Sequence, residues 1–135
     1  MPANTSPIFP LSPAIGIATL TSPTAITSRA NITGTTGLTQ LTPVSTNGKR
    51  IDGIRVKASA TSVATNVFIW LYNGTNSFLY DEIDIPAITP GNTTDSYAVD
   101  KVYSDAGLVL PPTYQLFVSV SVQQNLTCYA LGGDY

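Results

Sequence analysis

The sequence predicts an all-β chain: a two-sheet antiparallel β-sandwich, jelly-roll-like, of about eight strands, with an extended proline-rich N-terminal arm. Three observations carry this expectation. No apolar period of 3.6 residues appears anywhere in the 135 residues. Short period-two runs recur instead at a spacing of roughly ten residues, between clusters of Gly, Pro, Asn and Ser. The stretch from Asn66 to Ile85 is a strong hairpin signal. In it, Val67-Phe68-Ile69-Trp70-Leu71-Tyr72 and Ser77-Phe78-Leu79-Tyr80 flank Asn73-Gly74-Thr75-Asn76, and Asn-Gly tolerates the positive φ that a tight hairpin needs. Eight short strands make a jelly roll the first expectation and an immunoglobulin-like sandwich the second.

Residues 1–14 read as the arm and 15–135 as the sandwich domain. Pro2, Pro7, Pro10 and Pro13 remove backbone donors and hold the chain extended. Ile8, Phe9 and Leu11 are too apolar for a solvated tail, so a docked arm competes with a disordered leader. Preset proline dihedrals lower the entropy lost on docking. Two short strands are expected over about 16–21 and 25–33, marked by Ile15 and Ile17 and by Ala25, Thr27 and Ile32. Turns follow at Gly34-Thr35-Thr36-Gly37 and Thr46-Asn47-Gly48.

From Lys49 the alternation sharpens. Ile54, Val56, Ala58 and Ala60 alternate with Arg55, Lys57 and Ser59, giving one buried and one wet face. In the first hairpin arm, Val67, Ile69 and Leu71 point one way and Phe68, Trp70 and Tyr72 the other. A strand apolar on both faces needs a sheet on one side and a second cover, such as another subunit, on the other. Tyr97 to Tyr103, Leu108-Val109-Leu110, the run Leu116, Val118, Val120 and Val122, and Leu126 to Leu131 supply the remaining strands.

Composition excludes several function classes. Charged residues make up 10%, against about 25% in ordinary soluble domains, so neutral hydroxyls, amides or partners must cover the surface. A net charge of −2 argues against a general nucleic-acid binder, which needs a basic face. There is no histidine, which removes the usual proton shuttle and the commonest metal ligand. Cys128 is the single cysteine and reads as a small apolar strand residue. No run approaches the roughly 18 apolar residues of a membrane span. The N-terminus carries no basic region followed by an apolar one, so synthesis and folding in a cytoplasm are expected.

Each chemical motif has a plainer explanation beside it. Asp81-Glu82-Ile83-Asp84 suggests a calcium site or a glycosidase pair, yet a wet strand face accounts for it, and no pattern points to a carboxyl group with a raised pKa in a cleft. Lys49, Arg50, Arg55 and Lys57 hold four of the six basic residues. Arg55 and Lys57 share a strand face, so they form either a small positive patch for a partner or a solvated surface. The tyrosines and Trp70 suit a sugar-stacking platform, but aromatic side chains in sandwiches more often fill cores and subunit interfaces. The Asn-x-Ser/Thr triplets at Asn4, Asn31, Asn73, Asn92 and Asn125 are close to chance in so Thr-rich a chain. No cofactor and no enzyme chemistry are expected.

Four pieces together resemble small virion proteins of tailed bacteriophages. They are Lys49-Arg50-Ile51-Asp52-Gly53-Ile54, Leu71-Tyr72-Asn73-Gly74-Thr75-Asn76, Leu108-Val109-Leu110-Pro111-Pro112-Thr113-Tyr114-Gln115-Leu116, and Ala130-Leu131-Gly132-Gly133-Asp134-Tyr135. The resemblance covers about residues 47–135. It implies a structural protein of the particle, first a capsid decoration (cement) protein that sits as a homotrimer on the capsid surface. A tail, baseplate or fibre-tip component that reads a host glycan is the alternative. On this reading the expected oligomer interface is Phe68, Trp70 and Tyr72. Ile8, Phe9 and Leu11 of the arm, with Arg55 and Lys57, are the expected contacts with the major capsid protein or a neighbouring copy.

Overall fold

The computed structural model describes residues 12–103 and 107–135. Ten antiparallel strands form two sheets: β1 (Ser12–Leu20), β2 (Ile32–Thr33), β3 (Thr39–Gln40), β4 (Lys49–Ala58), β5 (Thr65–Tyr72), β6 (Asn76–Ile85), β7 (Ala98–Val102), β8 (Leu108–Leu110), β9 (Gln115–Val120) and β10 (Leu126–Asp134). One sheet has the order β1-β10-β4-β7, with β8 also on β4, and the other β2-β6-β5-β9-β3. Pairing is nested. β1 pairs β10, β3 pairs β9, β4 pairs β7, and β5 pairs β6. That is one long hairpin rolled over on itself, the jelly-roll arrangement, and the expected fold class holds.

The turn at the centre of the roll forms as its residues predict. Gly74 has φ 95°, and the Asn73 side-chain oxygen accepts hydrogen bonds from the Thr75 and Asn76 amides at 2.9 and 2.8 Å. Tyr72 then stands opposite Ser77, which sets the register as far as Trp70 opposite Leu79; a bulge between Ile69 and Trp70 shifts it by one residue beyond that point.

Four boundaries differ from expectation. β1 begins at Ser12, with Ser12, Pro13 and Ala14 opposite Asp134, Gly133 and Gly132, so these three residues, expected outside the sandwich, belong to its first sheet. Pro13 is tolerated because β1 is an edge strand. The expected strand over 25–33 reduces to a bridge from Ala25 to Val120 and the two residues of β2. β3 gives no sequence signal, being two residues long. β4 starts at Lys49 as expected but ends at Ala58, short of Ala60.

The main core lies between the sheets. Ala18, Leu20, Ile54, Val56, Ala58, Leu126, Cys128 and Ala130 face Val67, Ile69, Ile83, Ile85, Leu116, Val118 and Val120. On β1 the buried positions are Gly16, Ala18 and Leu20, while Ile15 and Ile17 point outward. A Cβ on Gly16 would lie 2.3 Å from the Leu41 carbonyl oxygen, so the inner face of β1 takes small residues where β3 and its exit approach.

A second core occupies the outer face of the β5-containing sheet. Phe68, Trp70 and Phe117 are buried there, with Ile26, Ile32, Leu38, Tyr72 and Leu79 packed against them. Residues 21–38 form the cover, a strap tied down at several points. The Ile26 amide donates to the Val120 carbonyl at 2.8 Å, the Gly34 amide to Thr75 at 2.7 Å, and the Ser77 hydroxyl to the Gly34 carbonyl at 2.7 Å.

Candidate association face

The strap decides which aromatic residues are available. Trp70 is 0% exposed and Phe68 1%. The Trp70 indole N–H donates to the Ser119 hydroxyl at 2.8 Å. Phe68 meets Trp70 edge to face at 6.3 Å between ring centroids, and the Arg29 guanidinium stands 5.3 Å over the Phe68 ring, a cation–π contact. Arg29 Nε also donates to Glu82 at 2.7 Å. The expectation that a second subunit covers Phe68, Trp70 and Tyr72 is therefore corrected. The chain's own residues 21–38 supply that cover, and Tyr72 is half-buried against Phe117 at 5.5 Å. The same burial removes Phe68 and Trp70 from any sugar-stacking platform.

Among the described residues no such strap crosses the opposite sheet. Cross-strand register places Ile15, Leu131, Gly53 and Val102 in one row of its outer face, and Ile17, Tyr129, Arg55 and Asp100 in the next. Thr19, Thr127, Lys57 and Ala98 make a third row, and Val109 stands beside Arg50 near the far end. Ile15, Ile17, Val102, Val109 and Leu131 are 64%, 58%, 74%, 50% and 42% exposed. Among the described residues, these five of nine exposed large apolar side chains share this one face. Exposed apolar side chains gathered on one face are a candidate association surface. Gly53 leaves a gap in it between Leu131 and Val102. That recess of about 300 Å³ is lined also by Ile54, Arg55, Asp100 and Lys101.

Arg55 and Lys57 do share this face, as their alternation predicts. Neither is a free positive charge, however. Arg55 Nη1 donates to both Asp100 carboxylate oxygens, at 3.0 and 2.8 Å, and Lys57 Nζ donates to the Ser96 carbonyl and hydroxyl at 2.9 and 2.6 Å. Lys49 is buried and paired with Asp134, and Arg50 donates to Asp52 at 2.7 Å. The four basic residues thus form no positive patch, since each already has an acceptor within the chain. Ile8, Phe9 and Leu11 lie outside the described residues.

The acidic run is divided in the same way. Glu82 stands opposite Phe68, and Asp84 opposite Asn66, on the strap side of β6. Asp81 accepts from the Tyr103 hydroxyl at 3.2 Å and lies 3.3 Å from Lys101 Nζ. Burial, reinforced by the Asp81 charge and hydrogen bond, pushes the Tyr103 phenol above its ordinary value. Among the described residues no group of three or more Asp, Glu or Cys side chains stands close enough to hold a metal ion. Among the described residues no helix is long and apolar enough to cross a membrane.

Cys128 is buried in the main core, and desolvation pushes its thiol up to about 12 from 9.0. A neutral thiol is a poor nucleophile. Alkylation by iodoacetamide at pH 8 should therefore track unfolding, with native protein unlabelled over hours and denatured protein labelled at once. The unfolded chain loses this proton first as pH rises, so stability should fall between about pH 9 and about pH 12. Denaturation midpoints across that range check it, and Cys128→Ala should remove one proton's share of the slope.

Comparisons of the chain with protein-family models, with curated proteins and with solved structures return no match.

Proposed function

We propose that the protein is a non-enzymatic structural component of a tailed-phage virion, an oligomeric decoration (cement) protein on the outer capsid surface. One observation carries the reading: among the described residues the chain covers the aromatic side chains of one sheet itself and leaves Ile15, Ile17, Val102, Val109 and Leu131 exposed on the outer face of the other. Ile15, Ile17, Leu131 and Val102 on that face are where association would bury surface. Each such side chain fully buried stabilises a complex by about 1.5–3 kcal/mol. Arg55 and Lys57, on β4 in the same face and across β10 from Ile17, would meet the major capsid protein. Low charge suits a protein whose work is contact with protein neighbours. Copies that bind only the assembled shell stabilise it by mass action, and many weak contacts on a lattice add.

Two measurements test this. Immunogold labelling of intact particles should mark heads; label confined to tails would favour the host-glycan reading, and unlabelled particles would end both. Ile17→Glu with Lys57→Glu should leave the fold intact and weaken binding to undecorated capsids by about a hundredfold, since two lost contacts at about 1.4 kcal/mol each are two decades. Unchanged occupancy would remove this face from the capsid interface.

A further inference from the structure

We infer that one end of the sandwich, around a recess beside Asn66 and Asp84, binds an uncharged carbohydrate. Such binding needs neither a place on a capsid nor the open face of the other sheet.

The topology gathers this end. β1 and β4 finish and β10 starts in one row, Leu20, Ala58 and Leu126. In the other sheet β5 starts opposite the end of β6, at Thr65 and Ile85, and β9 ends beside them at Val120. The short connections 59–64 and 121–125 join the two sets. Asp84, Asn66 and Ser121 form a row across β6, β5 and β9. A recess of about 460 Å³ has this row in its lining, with Pro86 and Tyr97 as apolar wall, a volume suited to a small ligand.

Hydrogen bonds hold the lining in place. Thr65 Oγ1 lies 3.1 Å from Ser121 Oγ and accepts from the Val122 amide at 2.9 Å. Ser121 Oγ accepts from the Asn66 amide at 2.9 Å, and the Ser121 amide donates to the Asn66 carbonyl at 3.0 Å. Asn66 is thus bound through its main chain, and its side-chain amide has no partner among the described residues. Asp84 enters none of the ion pairs among them. Residues directly opposite in an antiparallel pair have Cβ atoms about 4.5–5.5 Å apart. A carboxylate and an amide at that spacing can hold neighbouring hydroxyls of a sugar ring, the carboxylate accepting and the amide both accepting and donating. Tyr97 is half-buried against the main core, which fixes an apolar surface for the C–H face of the ring.

The surroundings select a neutral ligand. A second recess of about 370 Å³ at the same end is lined by Ser59, Thr61, Gln123 and Asn125. Val63 and Val122 fall in sequence between residues of the two recesses, and both are exposed. The Gln124 side chain ties this ridge down, bonding the Val63 amide and carbonyl at 3.2 and 2.9 Å. Hydroxyls and amides flanking an apolar ridge match sugar rings, which carry hydroxyl edges and C–H faces. Among the described residues no Lys or Arg lines either recess, so sulfate or carboxylate groups would meet no counter-charge beside Asp84. A lysine side chain could pair with Asp84, but an exposed ion pair is worth little and leaves the neutral groups unused.

The test presents the full chain, without capsids, to neutral oligosaccharides, to sialylated and sulfated ones, and to a lysine-rich peptide. At least one neutral hexose or N-acetylhexosamine oligomer should be retained. Its dissociation constant should hold within about twofold from about 0.05 to 0.5 M salt, because screening acts on charge pairs. Asp84→Ala and Asn66→Ala should each weaken that binding about tenfold, the scale of one lost hydrogen bond to a charged or well-placed polar group. Ile17→Glu, on the other sheet, should leave it unchanged. Fluorescence of the buried Trp70 checks that each variant folds. Retention of no neutral oligosaccharide, preference for the acidic ones or the peptide, or binding that ignores both alanine variants would overturn the assignment. So would a loss in folded Ile17→Glu. Capsid occupancy plays no part in these readouts, so this site and the capsid role can fail separately.

Discussion

Trp70→Ala should destabilise the isolated chain by about 3–5 kcal/mol, the range for truncating a large buried aromatic, as measured by denaturant unfolding. The ring is 0% exposed and sits between β5 and the strap, so its removal opens a cavity that Ile26, Ile32 and Leu38 can fill only by moving the strap. The Ser119 hydroxyl also loses its donor. Trp70→Phe separates the two effects. It keeps most of the packing and should cost about 1–3 kcal/mol, the range for a buried polar group left without its partner. Trp70→Asp places a carboxylate without a counter-charge in the same spot and should yield unfolded chain, not soluble single copies. A loss below about 1 kcal/mol for the alanine variant would mean that water already reaches the indole, and the strap would not be a cover.

Gly132→Ala should also be strongly destabilising, for a backbone reason. A Cβ at this position would stand 1.8 Å from the Arg50 carbonyl oxygen and 3.1 Å from the Ile51 Cα. No rotamer relieves a contact between a Cβ and main chain, so β10 and β4 must separate. They would part at their register shift, between Leu131 and Gly132. Overpacking usually costs about 1–3 kcal/mol and sometimes more. Because β10 is a central strand of its sheet, the upper end or beyond is expected. Loss of the folded circular-dichroism signal at a lower temperature than wild type checks it. Gly74→Ala offers the contrast: nothing lies within 4 Å of a Cβ there, and the cost is confined to the positive φ of the turn.

The innermost hairpin and the strands β4, β9 and β10 were legible because their turn chemistry and period-two alternation are local properties. The Asn73-Gly74 turn sets the register of β5 on β6, and Leu116, Val118 and Val120 declare a buried face by themselves. The strap was not legible. Its anchors Ile26, Ile32 and Leu38 are six residues apart, too sparse to declare a strand face and out of phase with a helix, so their shared target shows only in three dimensions. What the sequence does contain is the demand for a cover, in the second apolar face of β5. The choice between another subunit and the chain's own residues is a tertiary question that periodicity does not answer. The open face of the other sheet was hidden by a phase ambiguity. Ile15 and Ile17 mark β1 as a strand, but their larger side chains point outward because β3's exit crowds the inner side at Gly16. Arg55 and Lys57 were placed on the correct face, and their pairing with Asp100 and Ser96 was not visible from spacing.

The nesting of the strands also sets the order in which this molecule can be assembled from its chain. β10 lies between β1 and β4, so those two strands have no shared neighbour until residues 126–134 have been synthesised. During translation the central hairpin, β2 on β6, β4 on β7 and β8, and then β9 can all pair first, while β1 waits through more than a hundred residues for Leu126 to Asp134. Pairings so distant along the chain fold slowly. Ile15 and Ile17 stay unpaired with the rest of β1 for that interval, which is when premature contacts between nascent chains are most dangerous.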